Sequence, residues 1–365
     1  MKKLLLVVGT RPNYIKITGF KKLAIKLFPD KFDIKIIHTG QHFNKEMADD
    51  FFQQLDILPD YFLNIPPSSP NNQMAEIMLR LEKKLDEFKP DWVIVPGDVN
   101  STEAAALCTH KCGYKLAHLE SGLRSFDLSM PEEHNRIITD QLSDIFFVTE
   151  QSGSDNLLKE NKRKEQIYFV GNTMIDTLVA FDEQIENRNI YADLGVKPKS
   201  YVLVTMHRPA TVDNREGLQQ LCDLLKVISD KLPVVFPIHP RTKKNLMEFL
   251  LWEKLSSIGN LVLTEPLSYF DFQNLVLNCK LVITDSGGIQ EETTYRRIPC
   301  LTLRKNTERP VTITAGTNTL ISFSKPEVLM EIDAIISGNY KSGSIPGLWD
   351  GKSTERILEI FLKLS

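Results

Sequence analysis

The chain has 365 residues, with 44 Lys or Arg against 47 Asp or Glu, a formal net charge of -3 and 42% hydrophobic positions. This near-neutral balance does not generate the broad positive field that nucleic-acid binding draws on, so we expect no nucleic-acid partner. No apolar run approaches the roughly 18–20 residues of a membrane span, so we expect a soluble protein that makes no membrane contact.

The amino terminus predicts a buried strand and no secretory leader. The apolar run Leu4–Val8 is shorter than the roughly 7–15 residues of a signal-peptide core, and Gly9-Thr-Arg-Pro12 follows it instead of small cleavage-site residues. Five cysteines are scattered along the chain, an odd number without the spacing of a disulfide framework. We therefore expect a reducing, cytoplasmic location.

Short β-rich apolar runs alternate with longer helical patterns, which indicates βαβ units and parallel sheets. The first half contains the predicted strands Leu4–Val8, Phe32–His38, Trp92–Val95, Lys115–Leu119 and Ile145–Val148. The second half contains Tyr201–Met206, Val234–Ile238, Leu261–Thr264, Leu281–Thr284 and Cys300–Leu303. The chain is also longer than the roughly 250–300 residues at which one core stops growing. The sequence thus predicts an α/β fold of two doubly wound parallel-sheet domains.

The domain boundary is predicted near Gly171, between the charged stretch Glu160–Gln166 and the segment Phe169–Asp176. This gives an N-terminal domain of residues 1–170 and a C-terminal domain of residues 171–349. The last segment, Ser353–Leu364, has helical apolar spacing. We expect a C-terminal helix within residues 350–365 to pack back on the first domain.

Open parallel sheets bind ligands beyond the carboxyl ends of their strands, so the residues that follow each strand are candidate site residues. After the first strand, Gly9 frees the backbone to turn, a helix begins, and Arg11 and Lys16 lie in its opening turns. Helix-start N–H groups and two cations are typical of a phosphate site. The alternative is an ordinary strand-to-helix turn with surface cations.

A second turn of phosphate-binding type is Asp285-Ser-Gly-Gly-Ile-Gln-Glu-Glu292. Ser286 and Gly287 let a phosphate approach the bare N-terminus of the next helix, and Arg309 can add a further phosphate contact. Glu292 is electrostatically unfavourable beside a phosphate and suits ribose hydroxyls instead. The alternative is an ordinary glycine turn.

Three acids, Asp98, Glu120 and Glu132, lie at or just past strand ends and could converge on one rim. Arg124 and Arg136 are close enough in sequence to supply the cations that such a cluster needs. Clustered carboxylates suit general acid–base work at a carbon or a hydroxyl. For each acid taken alone, structural ion pairing is the alternative.

His207 also follows a strand and could bind phosphate or move a proton, although a lone histidine is often merely hydrogen-bonded.

Cys108, His110 and Cys112 fall in one helical run without a second ligand pair, so we expect no metal site. Neither G-x-G-x-x-G with a distal acid nor G-x-x-x-x-G-K-[ST] occurs, which disfavours nicotinamide chemistry and ATP hydrolysis by a standard phosphate loop.

Several motifs occur in order from about residue 4 to residue 320: Gly9-Thr-Arg-Pro, Thr39-Gly-Gln-His42, Pro96-Gly-Asp98, His118-Leu-Glu-Ser-Gly-Leu-Arg124, Pro131-Glu-Glu-His-Asn-Arg136, Gly171-Asn-Thr173, His207-Arg208, Asp285-Ser-Gly-Gly-Ile-Gln-Glu-Glu292 and Thr307-Glu-Arg-Pro310. Together they resemble the non-hydrolysing UDP-N-acetylglucosamine 2-epimerase family. The resemblance implies a GT-B fold, two Rossmann-like domains with the active site in the cleft, usually as a homodimer. It also implies reversible conversion of UDP-GlcNAc to UDP-ManNAc without added cofactor, for polysaccharide precursor synthesis.

The resemblance implies elimination of UDP to a 2-acetamidoglucal, followed by re-addition of UDP. By position it assigns a diphosphate-binding set: Arg11, Lys16, His207, Ser286, Gly287 and Arg309. It assigns Glu292 to the ribose and Phe272 to the uracil, although Phe272 without the resemblance is a core residue. Asp98, Glu120 and Glu132 form the implied acid–base set, joined by His207 among the catalytic residues and by Arg136 at the sugar rim. Which acid removes the C2 proton is left open.

Three segments depart from the family pattern. Pro209-Ala-Thr211 stand where the family commonly has Arg or Ala and then Glu, so the local sugar contacts are not carried over. Gln41-His42 is followed by Phe43-Asn44 where many bacterial members have Gln-His-Arg-x, so allosteric activation by a second UDP-GlcNAc is not carried over either. The loop Ser125–Met130 is a candidate determinant of preference for a modified UDP-sugar, such as a 2,3-diacetamido-glucuronate or a 6-deoxy form.

Three functions stay open on the sequence. The leading one is an epimerase that retains the UDP-sugar, acting on UDP-GlcNAc or a modified UDP-HexNAc. A hydrolysing relative that releases ManNAc and UDP is disfavoured, because its opening motif usually reads Gly-Ser-Arg-Ala-Glu. A non-catalytic UDP-sugar sensor or a GT-B glycosyltransferase is the third, and three acids exceed what binding alone requires.

Overall fold

The computed structural model describes residues 1–40 and 52–364 of the chain. Within them, the first sheet has seven parallel strands: β1 (Lys2–Val8), β2 (Phe32–His38), β3 (Tyr61–Phe62), β4 (Trp92–Pro96), β5 (Lys115–Leu119), β6 (Ile145–Val148) and β7 (Ile167–Phe169). Their order across the sheet is β3-β2-β1-β4-β5-β6-β7. The motif residues Gln41, His42, Phe43 and Asn44 lie outside the described residues.

The second sheet has six parallel strands: β8 (Val202–Thr205), β9 (Val234–Pro237), β10 (Leu261–Thr264), β11 (Leu281–Thr284), β12 (Cys300–Leu303) and β13 (Asn318–Ile321). Their order is β10-β9-β8-β11-β12-β13. In both sheets the order reverses beside the first strand, as in doubly wound folds, so the carboxyl ends of neighbouring strands open at a switch point.

Helices connect the strands of each sheet. From the amino terminus they are α1 (Arg11–Ile17), α2 (Gly19–Leu27), α3 (Pro70–Phe88), α4 (Asn100–Lys111), α5 (Pro131–Leu142), α6 (Gln151–Lys159), α7 (Thr173–Ala180), α8 (Asp182–Glu186) and α9 (Ile190–Asp193). They continue with α10 (Pro209–Val212), α11 (Arg215–Ser229), α12 (Pro240–Glu248), α13 (Trp252–Ser256), α14 (Tyr269–Asn278), α15 (Gly287–Arg296), α16 (Val311–Thr314), α17 (Lys325–Ile336) and α18 (Ser353–Lys363). Among the described residues, no helix combines the length and the apolar character that crossing a membrane would require.

The ten strands predicted from apolar runs are all present, and the predicted class of two parallel-sheet α/β domains is confirmed. The runs are continuous because helices cover both faces of a parallel sheet, so successive side chains are all buried. On one face of the first sheet, Leu5 and Val93 pack with Leu81 of α3 and Ala105 of α4. Strands such as β4, β6 and β11 are therefore buried along their whole length, and site residues follow the ends of β4 and β11.

Residues Met1–Ala180 and Gly347–Ser365 form one compact unit, and Phe181–Pro346 form the other. The first unit includes α7, which begins just after the predicted boundary near Gly171. The Thr177 hydroxyl of α7 donates to the carbonyl of Ile15 at 2.5 Å, which ties this helix to α1.

The carboxyl-terminal segment is attached to the first unit by polar and aromatic contacts. The buried Asp176 carboxylate accepts the backbone N–H groups of Ser353 at 3.0 Å and Thr354 at 2.5 Å, which begin α18. Phe361 of α18 packs its ring against Trp92 and Phe147, at centroid distances of 5.7 and 5.4 Å. A carboxylate that accepts two helix-start N–H groups acts as a capping group supplied from elsewhere in the fold.

Replacing Asp176 tests this cap. Asp176→Ala leaves two buried N–H groups without an acceptor, so we expect the free energy of unfolding in urea to fall by about 1–3 kcal/mol. The matched control is Asp193→Ala at an exposed position, which should change it by no more than about 0.5 kcal/mol. Equal effects of the two variants would contradict the capping role.

Candidate active site

The Pro96-Gly-Asp98 motif begins with the last residue of β4, and α5 holds its acid in place. Two nitrogens of Arg136, Nε at 3.0 Å and Nη2 at 2.7 Å, donate to the same Asp98 carboxylate oxygen. The side-chain amide of Asn135, also on α5, donates to the Asp98 backbone carbonyl at 2.8 Å. The Asp98 side chain keeps 21% of its surface exposed. The acid is thus fixed through both its backbone and its side chain, and it is still accessible to a ligand.

Glu120 follows the neighbouring strand β5 and adopts a left-handed backbone conformation with φ of 73°. A non-glycine residue in this region carries strain, which is common at functional sites. Its buried carboxylate forms an ion pair with Lys16 of α1. A Cβ added to Gly97 would lie 2.8 Å from Lys16 Nζ, so the ammonium group packs against the Gly97 backbone. Lys16, Glu120 and Asp98 therefore meet around Gly97.

The other predicted residues of the first unit, Glu132, Arg11 and Arg124, differ in how far they are buried. Glu132 lies half-buried in the first turn of α5, on the helix that carries Arg136. Arg11 is exposed at the first position of α1. Arg124, which was expected to neutralise the catalytic acids, is buried and donates to Asp140 and Glu160, both at 2.7 Å. That expectation was wrong because the guanidinium is held by two acids that are distant in sequence.

Sequence reasoning missed Glu133, the neighbour of Glu132. Its buried carboxylate accepts from Arg136 Nη1 at 2.6 Å and from the backbone N–H and hydroxyl of Ser125, both at 2.9 Å. It also accepts the N–H of Phe126 at 2.9 Å. The spacing of Glu133 and Arg136, one helical turn apart, was the available signal. Glu133 therefore anchors the loop Ser125–Met130 and steadies the Arg136 that holds Asp98.

In the second unit, Asp285 organises the end of β8 from the end of β11. Its buried carboxylate accepts the backbone N–H of His207 at 3.0 Å and of Arg208 at 2.8 Å. His207 Nδ1 lies 3.2 Å from the same carboxylate, and 40% of the His207 side chain is exposed. Burial favours the neutral acid, but the hydrogen bonds and charge of His207 and the Arg208 N–H hold the pKa of Asp285 below its usual value.

A second residue missed from sequence, His239, stands beside His207. It follows β9, and its ring centroid is 5.4 Å from that of His207. Its Nδ1 accepts the backbone N–H of Arg241 at 3.2 Å, which caps α12. The carboxyl ends of β8, β9 and β11 therefore bring two histidines and Asp285 together.

Ser286 and Gly287 begin α15, as the sequence predicts, and Arg309 lies directly against them. A Cβ added to Gly287 would approach Arg309 Nη1 to 2.5 Å, so a larger residue here would displace the guanidinium group. The buried Arg309 guanidinium pairs with Glu308 and, at 3.1 Å from Nε, with Glu291. Gly287 and Arg309 thus lie against each other, and the arginine is already paired with two acids.

Glu292 lies further along α15 and is buried. Burial raises the pKa of this carboxyl to about 7, although hydrogen bonding to Gln273 and the charge of Arg296 oppose the shift. Tyr269, the first residue of α14, has a buried hydroxyl, and this burial together with the nearby Glu292 charge raises its pKa. Phe272, also on α14, is half-buried and packs against the cluster around Tyr201 and Leu275.

Comparison with known proteins agrees with these motifs. A family model described as UDP-N-acetylglucosamine 2-epimerase matches residues 26–362. The chain is 39% identical to the UDP-N-acetylglucosamine 2-epimerase of Methanocaldococcus jannaschii, over 98% of each chain. It is 33% identical to the UDP-2,3-diacetamido-2,3-dideoxy-D-glucuronate 2-epimerase of Pseudomonas aeruginosa, over 99% of this chain and 100% of that one.

Solved structures agree as well. The crystal structure of the Methanocaldococcus jannaschii UDP-GlcNAc 2-epimerase in complex with UDP-GlcNAc and UDP superposes with a TM-score of 0.90 at 38% identity, over 99% of this chain and 100% of that one. The Neisseria meningitidis UDP-GlcNAc 2-epimerase bound to UDP-GlcNAc gives a TM-score of 0.90 at 30% identity, over the same shares. These matches confirm the predicted GT-B fold. The chain belongs to the UDP-N-acetylglucosamine 2-epimerase family.

Proposed function

We propose that this enzyme interconverts UDP-GlcNAc and UDP-ManNAc. The observation that carries the proposal is the Asp98–Arg136 and Lys16–Glu120 cluster around Gly97, in a chain of this family. The relatives named above act on UDP-GlcNAc or on a diacetamido relative of it, and the cluster supplies the carboxylates that such a reaction needs. We further propose that the enzyme is a cytoplasmic homodimer, needs no cofactor and supplies polysaccharide precursors.

The chemistry explains why several acids are needed. The proton on sugar C2 is barely acidic, so its direct removal is slow. When the C1–O bond breaks first, its electron pair leaves with UDP, positive character develops at C1, and the C2 proton becomes labile. A carboxylate then takes that proton, and the C–H electrons form the C1=C2 bond of 2-acetamidoglucal. Re-addition of UDP with protonation of the opposite face gives the epimer, so acids are needed on both faces.

We assign the proton transfers to the acids of the first unit. Asp98 is accessible and immobilised by Arg136, which are the properties of a positioned base. Glu120 and Glu132 complete the acid–base set, and Arg136 contributes at the sugar rim. His207, partly exposed beside Asp285, is suited to exchange a proton with the leaving group.

We assign the binding of the leaving group to the predicted diphosphate residues, which include Arg11 and Lys16. The N–H groups at the start of α15, beside Ser286, Gly287 and Arg309, are suited to the diphosphate, whose charge grows as the C1–O bond breaks. Glu292 would accept the ribose hydroxyls and Phe272 would stack on uracil. Because Arg309 is already paired with Glu291 and Glu308, its role is to orient donors as well as to supply charge.

The reaction is tested by deuterium incorporation. The purified full-length chain in D2O with UDP-GlcNAc should place deuterium at C2 of both epimers while the UDP-sugar bond persists at equilibrium. A panel that adds UDP-ManNAc and UDP-2,3-diacetamido-2,3-dideoxy-glucuronate identifies the preferred sugar. Net release of free ManNAc would show a hydrolysing enzyme, and absence of exchange with every UDP-HexNAc in the panel would show a sensor.

The acid–base assignment is tested by isosteric substitution. Asp98→Asn and Glu132→Gln should each lower the exchange rate by about 100-fold or more, because each removes a group that transfers a proton. The dissociation constant for UDP should stay within about threefold, since neither acid is assigned to the nucleotide. Glu82→Gln, at an exposed position of α3, is the control and should retain full activity. Normal rates in Asp98→Asn and Glu132→Gln would remove both acids from the mechanism.

The ribose assignment predicts a pH effect on binding. With its pKa at about 7, Glu292 is mostly neutral at pH 6 and mostly ionised at pH 8. An ionised carboxylate accepts hydroxyl hydrogen bonds more strongly, so affinity for an equilibrated mixture of UDP-GlcNAc and UDP-ManNAc should rise over this range. Calorimetry at pH 6, 7 and 8 measures the rise, and Glu292→Gln should flatten it. The same slope in both proteins would show that Glu292 does not contact the ligand.

A further inference from the structure

His118 is fully buried between two hydrogen-bond acceptors. It lies on β5, two residues before Glu120, and both its side chain and that of Asp140 are 0% exposed. Its Nδ1 lies 2.6 Å from Asp140 Oδ1, and its Nε2 lies 2.8 Å from the carbonyl oxygen of Gly97. Both distances are those of strong hydrogen bonds. No part of the imidazole is therefore available to a ligand.

The two contacts define where the ring protons lie. A carbonyl oxygen can only accept, so Nε2 must donate to Gly97. The remaining question is whether the proton between His118 and Asp140 belongs to the ring or to the acid. The other Asp140 oxygen accepts from Arg124 Nη2 at 2.7 Å and from the Gly122 N–H at 3.1 Å, which stabilises the ionised carboxylate. Nδ1 therefore also carries a proton.

The two carboxylates around Arg124 are charges that a protonated His118 helps to offset. Although burial opposes it, the charges and hydrogen bonds of His118 and Arg124 lower the pKa of Asp140. Arg124 also contacts Glu160 at 2.7 Å, so two carboxylates and one guanidinium share this cluster. A protonated His118 brings the sum over these four groups to zero. Lys162, at the edge of the cluster, is the further cation that acts on Asp140 and Glu160.

We propose that His118 is a buried imidazolium, held by Asp140, that positions the Gly97 peptide and through it the carboxylate of Asp98. This inference rests on the proposed function, in which Asp98 transfers a proton. The Gly97 carbonyl accepts from His118, and its N–H donates to the carbonyl of Leu119 on β5 at 3.0 Å. The two peptide groups that flank the Gly97 Cα are thus each held by β5, and the second of them, whose carbonyl accepts from His118, is bonded directly to Asp98. His118 is therefore a positioning residue.

The protonation state is tested on the unmodified protein. Uniformly 15N-labelled full-length chain is examined by long-range 1H–15N NMR of the imidazoles at pH 7.5, where an ordinary histidine is mostly neutral. The His118 signals are identified by their loss in His118→Gln. We expect both ring nitrogens to be protonated in the wild-type chain, and only one in Asp140→Asn. A neutral ring in the wild-type chain would overturn the proposal, and this readout does not depend on catalytic activity.

The positioning role is tested by a paired substitution. In His118→Gln alone, the new amide cannot donate to both Gly97 and Asp140, and its oxygen must face one of these acceptors. The exchange kcat should fall by about 100-fold with KM within about threefold, as expected for misplacement of a reacting group. In His118→Gln combined with Asp140→Asn, the amide at position 140 can donate to the amide at 118, which can then donate to Gly97. The double variant thus restores the hydrogen bond to the Gly97 carbonyl without a charged imidazolium.

The double variant should therefore recover kcat to within about tenfold of the wild-type value, although it carries two core substitutions. His110→Gln, at an exposed position of α4, is the matched control and should be unaffected. An additive or greater loss in the double variant would overturn the positioning role. If the wild-type chain exchanges no UDP-sugar proton at all, the proposed function fails, while the NMR result still decides the state of His118.

Discussion

The backbone of Gly97 is the point on which the organisation of the first unit depends. Its carbonyl accepts from His118, its N–H donates to the carbonyl of Leu119, and the Lys16 ammonium packs where a side chain would otherwise lie. Neighbouring parallel strands end at the same edge of the sheet, so the backbone of a residue after β4 can be held from β5 and α1. Asp98 is the next residue, so these contacts also fix its position. A side chain at residue 97 would displace Lys16 and, with it, the partner of Glu120.

Most buried charges near the candidate site are paired within their own unit. Arg136 forms ion pairs with Asp98 and Glu133, and Lys16 forms one with Glu120. Arg309 forms ion pairs with Glu291 and Glu308. Such pairing is required because an isolated buried ion costs several kcal/mol. It also bears on the proposed function, in which a diphosphate would meet cations that are already paired with acids. Under that proposal, binding of the anion would depend on oriented N–H groups, such as those beginning α15, as well as on net positive charge.

The parts of the fold that could be predicted from sequence are the strands whose burial requires continuous apolar residues. Continuous apolar runs identified ten strands, whereas β3, β7 and β13 were not predicted because they are short or only partly buried. The strand-end rule located Asp98, Glu120, His207 and Ser286 correctly beside strand termini. It could not choose between the adjacent acids Glu132 and Glu133, since only packing reveals that Glu133 turns inward to hold Ser125 and Arg136. The partners of Arg124 and the role of His239 likewise depend on contacts that are distant in sequence.

Exposure separates the residues that can do chemistry from those that support it. Asp98 keeps 21% of its side chain exposed and His207 keeps 40%, so each can meet a ligand. His118 and Asp140 are completely enclosed, and a group that cannot touch the substrate cannot exchange a proton with it. The charges of His118 and Asp140 can therefore act only through hydrogen bonds that hold the backbone or through the electric field that they produce at neighbouring groups. Because the His118 contact ends on the peptide bonded to Asp98, holding the backbone accounts for the geometry. The motif that contains His118 and Glu120 therefore combines a supporting residue on β5 with a candidate acid in the turn that follows this strand.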